Sequence, residues 1–192
     1  MLQHSRGDGE SAAANAREDA VVLTRIRTVQ VRDATTLLHT LSDLEEKLAE
    51  ASTPRNPASF FRNLKLVVID SLGSLFACVI GGRQSVGHAL LVSVSTLIQR
   101  IMTQYHIAFV VTNHTTEYQG KVSPALGDTW THMPCVSMVL TRPDLKASDS
   151  SARRATIRKS NKNDTLAAAD FSVGVVGVAD PVCEVSTSEE SR

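Results

Sequence analysis

Two apolar runs in this chain stop abruptly on polar side chains. Residues 64–70, LKLVVID, end on Asp70, and residues 106–114, HIAFVVTNH, end on Asn113 and His114. A carboxylate fixed at the tip of a rigid strand can hold a Mg²⁺-bound water beside the phosphates of a nucleotide, the chemistry that a hydrophobic run closing on Asp serves best. A polar side chain at the tip of a neighbouring strand can sense the γ-phosphate or the water that attacks it, a part open to Asn113 and His114. The competing account of Asp70 is local: it caps the next turn.

The elements that would position these residues can be read from periodicity. LKLVVID and HIAFVVT are near-continuous apolar runs, the pattern of parallel strands covered on both faces. Between them, residues 84–105 carry Leu90, Val94, Leu97, Ile98, Ile101, Met102 and Tyr105 at the spacing of one helical face. Upstream, IRTVQVRD (26–33) reads as a short β-prone run. Asp33 then caps a helix with Leu37, Leu41, Leu44 and Leu48 as its stripe, and Pro54 and Pro57 break it into a loop. Strand and helix alternate as in βαβ units of an α/β sheet, whose ligands gather at the carboxyl ends of the strands. After Gly127 the helical period vanishes. CVSMVLTR, RRATIRKS and DFSVGVVGV read as antiparallel strands extending that sheet.

Composition narrows the function classes. Lys+Arg and Asp+Glu are equal at 20 each in 192 residues, so no global field recruits nucleic acid or membrane. Three cysteines, Cys78, Cys135 and Cys183, lack any C-x-x-C spacing, which argues against a disulfide framework or a structural zinc. A reducing compartment fits that usage, with Cys78 and Cys135 as small core residues. No apolar run approaches the ~18 residues of a bilayer span, and no secretory h-region opens the chain. Residues 1–19 and 181–192 read as disordered tails around one partial domain, 20–180. Ser71 and Ser74 do not make a G-x-S-x-G elbow, and His88 and His106 lack partners at metal-ligand spacing.

The motifs in order resemble a family. VVIDS as a Walker B strand, GG before a long helix, VVTNH, PALG before Trp130, and the late pair RRATIRKS and FSVGVVGVAD together resemble the ATPase core of the eukaryotic RecA-like recombinases. Within that group the pattern is similar to the recombinase paralogues of the Rad-fifty-one family, the D paralogue group most of all. The resemblance implies an α/β RecA-like core, with a mostly parallel central sheet, helices on both faces and antiparallel strands at the C-terminal side. It implies ATP and Mg as cofactors, Asp70 as the metal residue acting through water, Asp70 and Ser71 beside the nucleotide, and Asn113 and His114 as the catalytic tip. It also implies a nuclear DNA-repair setting, single-stranded DNA and other recombinase paralogue subunits as partners, and no membrane.

One departure outweighs any single match. The chain holds no G-x-x-x-x-G-K-[ST] loop, whose backbone amides and lysine cradle the phosphates in that family. GGRQSVG (81–87) has no lysine and comes after the Asp70 strand, so it cannot substitute. The resemblance therefore covers the Walker B half alone, as in a truncated or alternatively started product or in one that has lost its nucleotide half, and predicts a poor ATPase.

In the resembling family two loops after the strand tips meet DNA. The matching segments are TTEYQGKVS (115–123) and GDTWTHMP (127–134), which supply Lys121, Trp130 and His132. Trp130 either stacks on a base or packs against the sheet. Arg153, Arg154, Arg158, Lys159 and Lys162 make the dense basic cluster: a solvated edge, or a contact to phosphate or a subunit. Arg153 and Arg154 are the DNA candidates there. Lys159 lies where the family caps a neighbour's nucleotide. The rival to a recombination subunit is an interaction module that docks partners without a nucleotide or DNA site.

Overall fold

The structure is a computed structural model that describes residues 20–53, 59–80, 85–118, 121–142, 151–161, 167–175 and 177–180. The tails 1–19 and 181–192, Cys183, Lys162 and the glycines at 81 and 82 lie outside the described residues. The backbone divides into two compact units at the Gly127–Asp128 boundary.

The first unit is built on two helices and a pair of parallel strands. Helix α1 (Ala34–Ala51) starts where Asp33, in extended backbone, accepts a hydrogen bond from the Thr36 amide at 2.8 Å and another from the Thr36 hydroxyl at 2.9 Å. It buries Leu37, Leu41 and Leu48, the apolar stripe expected from its period. A 3-10 turn (Phe60–Asn63) leads into strand β1 (Leu66–Ile69), and a short helix, α2 (Leu72–Phe76), comes directly after it. Helix α3 (Ser85–Tyr105) packs on α1 and buries Leu91, Val94, Leu97, Ile98 and Ile101, and Arg100 on α3 forms an ion pair with Glu45 on α1. Over Val86–Tyr105 this helix is apolar enough to pass for a bilayer span by composition, but here its stripe is spent in the core.

Gly87 on α3 accounts for one of the GGRQSVG glycines. A Cβ there would overlap the Val79 carbonyl, so glycine serves close packing of the helix start against the preceding turn. At the far end of α3, His106 takes φ +54°, the left-handed geometry that stops a helix and that His tolerates better than most residues. The chain turns there into strand β2 (Ala108–Val111). His88 and His106 are both exposed.

β1 and β2 pair in parallel, with Leu66 beside Ala108 and Ile69 beside Val111. The expectation of adjacent parallel strands is met, whereas that of two covered faces is not. Leu66, Val68 and Val110 are 50%, 56% and 51% exposed, so one face of this two-stranded sheet is open among the described residues. The β-prone run at 26–33 forms no strand either. It is irregular backbone with Ile26 and Val29 exposed, because propensity does not make a strand where no ladder partner stands among the described residues. Beyond β2, strands β3 (Thr115–Tyr118) and β4 (Lys121–Pro124) form an antiparallel pair where a loop was expected, in keeping with their Thr, Tyr and Val content.

The second unit holds the end of a five-residue helix, α4 (Gly127–Thr131), and an antiparallel sheet of strands β5 (Val136–Thr141), β6 (Ala152–Ser160), β7 (Ala168–Gly174) and β8 (Gly177–Ala179) in that order. The antiparallel pairing is as predicted from sequence, but among the described residues these strands form a sheet of their own and do not extend the β1–β2 ladder. A bulge opposite Ser137 and Met138 leaves Arg158 without a cross-strand partner residue. Cys78 and Cys135 are exposed, correcting their assignment to the core.

The Asp33 cap makes a prediction with a definite sign. The Thr36 amide and hydroxyl hold the Asp33 carboxyl below the usual carboxylate range. Its contribution is therefore present above the ordinary carboxylate pKa and lost as pH falls through the depressed folded value. Asp33→Ala should lower the urea midpoint at pH 7 and converge on the parent in acid, while Asp33→Asn, which can still cap, should stay close to the parent at neutral pH.

Candidate functional site

The parallel register fixes what the strand tips can do. With Ile69 level with Val111, Asp70 leaves β1 at the same end at which Thr112, Asn113 and His114 leave β2. The Thr112 hydroxyl donates to Asp70 Oδ1 at 2.7 Å, and the backbone continues the lock, since the Thr112 amide donates to the Ile69 carbonyl and the Leu72 amide to the Thr112 carbonyl. Asp70 does not cap the next helix. Ser71 does so, its hydroxyl accepting from the Ser74 amide at 3.3 Å. The peptide bond joining Asp70 to Ser71 is cis.

A second cluster sits beside the first. His114 Nε2 lies 2.8 Å from the Ser74 hydroxyl and 3.1 Å from that of Ser71, and the two hydroxyls are 2.7 Å apart. Asn113 Oδ1 accepts from the His114 amide at 2.8 Å, turning its side chain back onto its own backbone. The His114 carbonyl accepts from the Ala125 amide, so the β3–β4 pair is tied to the tip that carries His114. Gly73 makes this approach of α2 to the β2 tip feasible: a Cβ there would stand 2.6 Å from Asn113 Oδ1 and 3.1 Å from the His114 amide nitrogen.

Asp70, Ser71, Asn113 and His114 are thus brought together, joined by Thr112 and Ser74, which sequence reasoning did not assign to the site. A weak signal for each was present: Thr112 immediately precedes the polar tip, and Ser74 stands three residues after a capping serine.

The remaining candidates fall elsewhere. Lys121 opens β4, opposite Tyr118 in register. In the second unit Trp130 is half-buried on α4 and His132 is exposed just after it. Lys159 Nζ donates to the His132 carbonyl at 2.9 Å and to the Thr131 carbonyl at 3.4 Å, tying β6 to that segment. Arg154 makes a two-pronged contact with Asp170, at 2.6 and 2.8 Å. The guanidinium holds the Asp170 carboxyl below the usual range, and the carboxylate holds Arg154 above its own. Arg153 donates to the carbonyl of Ala152. The basic cluster is therefore partly spent on its own unit.

A nucleotide with Mg²⁺ fits half of the strand-tip geometry. Asp70 is exposed and Thr112 engages one of its oxygens, leaving carboxylate capacity for a metal-bound water. No lysine or glycine-rich loop stands among the tip residues to cradle phosphate, and no group of three or more His, Cys, Asp or Glu among the described residues could hold a metal directly. The residues fit the metal-water half and not the phosphate half, so no chemical step is routed through the nucleotide.

Comparison with known proteins gives this geometry a context. No protein-family profile matches the chain. Over 118 residues it is 38% identical to a Dictyostelium discoideum protein named probable DNA repair protein RAD51 homolog 4, covering 59% of the chain and 33% of that protein. The DNA repair proteins RAD51 homolog 4 of Bos taurus and Mus musculus are 28% and 27% identical, each over 88% of the chain. The chain spans about half their length, 51% and 50%. Its backbone matches the crystal structure of the RadB recombinase with a TM-score of 0.51 at 17% identity, over 73% of the chain and 61% of that structure.

The chain is similar in sequence to proteins named RAD51 homolog 4. Its α/β fold is RecA-like, as the motif order led one to expect, and within that fold LVVID and VVTNH are neighbouring strands.

Gly73 gives the test of this site. Gly→Ala inside a helix ordinarily stabilises by about 0.5–1 kcal/mol. Here Gly73→Ala should instead destabilise by about 1 kcal/mol, since the methyl group must displace Asn113 from its bond to the His114 amide. Denaturant titration reads the loss, and the penalty should shrink in an Asn113→Ala background.

Proposed function

We propose that this chain acts in homologous-recombination DNA repair in the nucleus, as a RecA-like recombinase paralogue subunit that contacts single-stranded DNA and partner paralogues and supports assembly of the recombinase filament. The observation that carries this reading is the meeting of Asp70 with Asn113 and His114 at one end of two parallel strands, in a chain whose relatives are named DNA repair proteins. In this reading Asp70 would hold a water bound to Mg²⁺, and Ser71 and Ser74 hold the His114 ring in place. The His114 backbone then passes into the β3–β4 pair, which bears Lys121. Trp130 and His132 would meet DNA from the second unit, Arg153 and Arg154 would serve the partner subunit, and Lys159 would serve the nucleotide of a neighbouring subunit. ATP supplies the phosphates, but their cradle has to come from outside the residues present here.

A specific observation favours a second reading, an interaction module without its own nucleotide or DNA site. Leu66, Val68 and Val110 present an open apolar face on a two-stranded sheet, whose outer edges lack ladder partners among the described residues. A partner paralogue covering that face would serve either reading.

Two measurements separate the possibilities. Calorimetry of the purified chain with ATP–Mg²⁺ should give an affinity no tighter than ~1 mM. Micromolar binding abolished by Asp70→Ala would show that a complete nucleotide site exists here. Charge reversal of Arg153, Arg154 and Arg158 should weaken co-purification with a co-expressed paralogue and leave salt-sensitive single-strand binding largely intact. Because Arg154 is paired with Asp170, the exchange R154D/D170R keeps that pair and should co-purify as the parent does. Loss of DNA with retention of the partner would make the cluster a phosphate patch.

A further inference from the structure

Two hydroxyl residues in the chain directly precede a proline, in Thr53–Pro54 and Ser123–Pro124. A proline-directed protein kinase reads that pairing, because a pocket with no acceptor for the next backbone amide favours the one residue that lacks an N–H. The structure tells the two apart. Ser123 is a half-buried member of strand β4, level with Thr116 in the β3–β4 ladder. Thr53 is exposed, lies just beyond the end of α1 and belongs to no helix or strand. A proline disfavours helical geometry in the residue before it, which keeps Thr53 off the helix.

Thr53 and its neighbour close the negative end of α1. The Ser52 amide and hydroxyl donate to the Leu48 carbonyl at 3.0 and 2.8 Å, and the Thr53 amide and hydroxyl donate to the Glu50 carbonyl at 3.1 and 2.6 Å. The last turn of the helix holds Glu50 and no basic residue. It also carries Leu48 and Ala51 into the core, at 3% and 2% exposure. The Thr53 hydroxyl is thus reachable from solvent and coupled to buried packing through the carbonyl it caps.

We propose that Thr53 is a phosphorylation site for a proline-directed protein kinase and that the modification loosens the last turn of α1. In the transfer, Thr53 Oγ1 bonds to the γ-phosphorus of kinase-bound ATP and the bond from that phosphorus to the β–γ bridging oxygen breaks. ADP leaves, and the hydroxyl proton passes to the carboxylate base of the kinase. The ester oxygen then has no hydrogen to donate to the Glu50 carbonyl. In its place stand about two negative charges at the negative end of the helix dipole, close in sequence to the Glu50 carboxylate. Both changes act against the packing of Leu48 and Ala51. The proposal is independent of the nucleotide and DNA readings, which give this segment no role.

The folded full chain is incubated with ATP and either a cyclin-dependent or a mitogen-activated protein kinase, and its tryptic peptides are analysed by mass spectrometry. A single phosphate should appear on the peptide 48–55, be lost in Thr53→Ala and in Pro54→Ala, and be unaffected by Ser123→Ala. The phosphorylated chain should melt about 2–4 °C below the unmodified one, and its amides over 48–53 should exchange faster. Thr53→Val, which loses the hydroxyl without gaining charge, should melt between the two. Absence of labelling by either kinase while a control Thr-Pro peptide is labelled, labelling of Ser123, or labelling of Thr53 that survives Pro54→Ala would overturn the proposal. So would a phosphorylated chain that melts at or above the unmodified one.

Discussion

Parallel strands cannot be joined by a tight turn, and in the first unit this constraint shapes both the core and the site. Getting from Ile69 to Ala108 takes a crossover, and the chain spends it on α2 and the long helix α3. The helix packs on α1 and buries its own stripe, so the element that makes the parallel pairing feasible also supplies a large share of the core. Parallel register then delivers both strand ends to the same place. Asp70 and His114 are 44 residues apart in the chain, yet they belong to one hydrogen-bonded neighbourhood because Ile69 is level with Val111.

That neighbourhood is held more by small side chains than by charged ones. Thr112 steadies the carboxylate of Asp70, Ser71 and Ser74 converge on His114, and Gly73 gives the space for α2 to come close to the second tip. Hydroxyls suit the task because each both donates and accepts, so a ring nitrogen is satisfied whichever tautomer it takes. The exposed, singly engaged Asp70 leaves carboxylate lone pairs available, the property a metal-water ligand needs.

The open face of β1 and β2 has the opposite character. Leu66, Val68 and Val110 are the kind of residues that parallel sheets normally cover on both sides, and their exposure goes with a sheet of two strands among the described residues. Such a face is hazardous in isolation and useful in a complex. The second unit shows the matching economy in its charges: Arg154 is spent on Asp170 and Lys159 on the carbonyls of Thr131 and His132, so a run of basic residues in sequence is not a free cationic surface in space.

Local sequence was sufficient wherever a short-range rule decided the outcome. Asp33 capping α1, the Leu37–Leu41–Leu48 stripe, the long helix ending at Tyr105 and the two apolar strands ending on polar tips all depend on residues within a few positions of one another. The motif order likewise carried the RecA-like resemblance. Tertiary structure decided whatever depended on partners distant in the chain. The β-prone run from Ile26 has no ladder partner and stays irregular, and the antiparallel strands close on each other instead of on β1 and β2. Cys78 and Cys135 face solvent, although small apolar character suited them to a core. Ser74 and Thr112 join the site because pairing of β1 with β2 sets them beside residues some 40 positions away, a proximity that periodicity cannot encode.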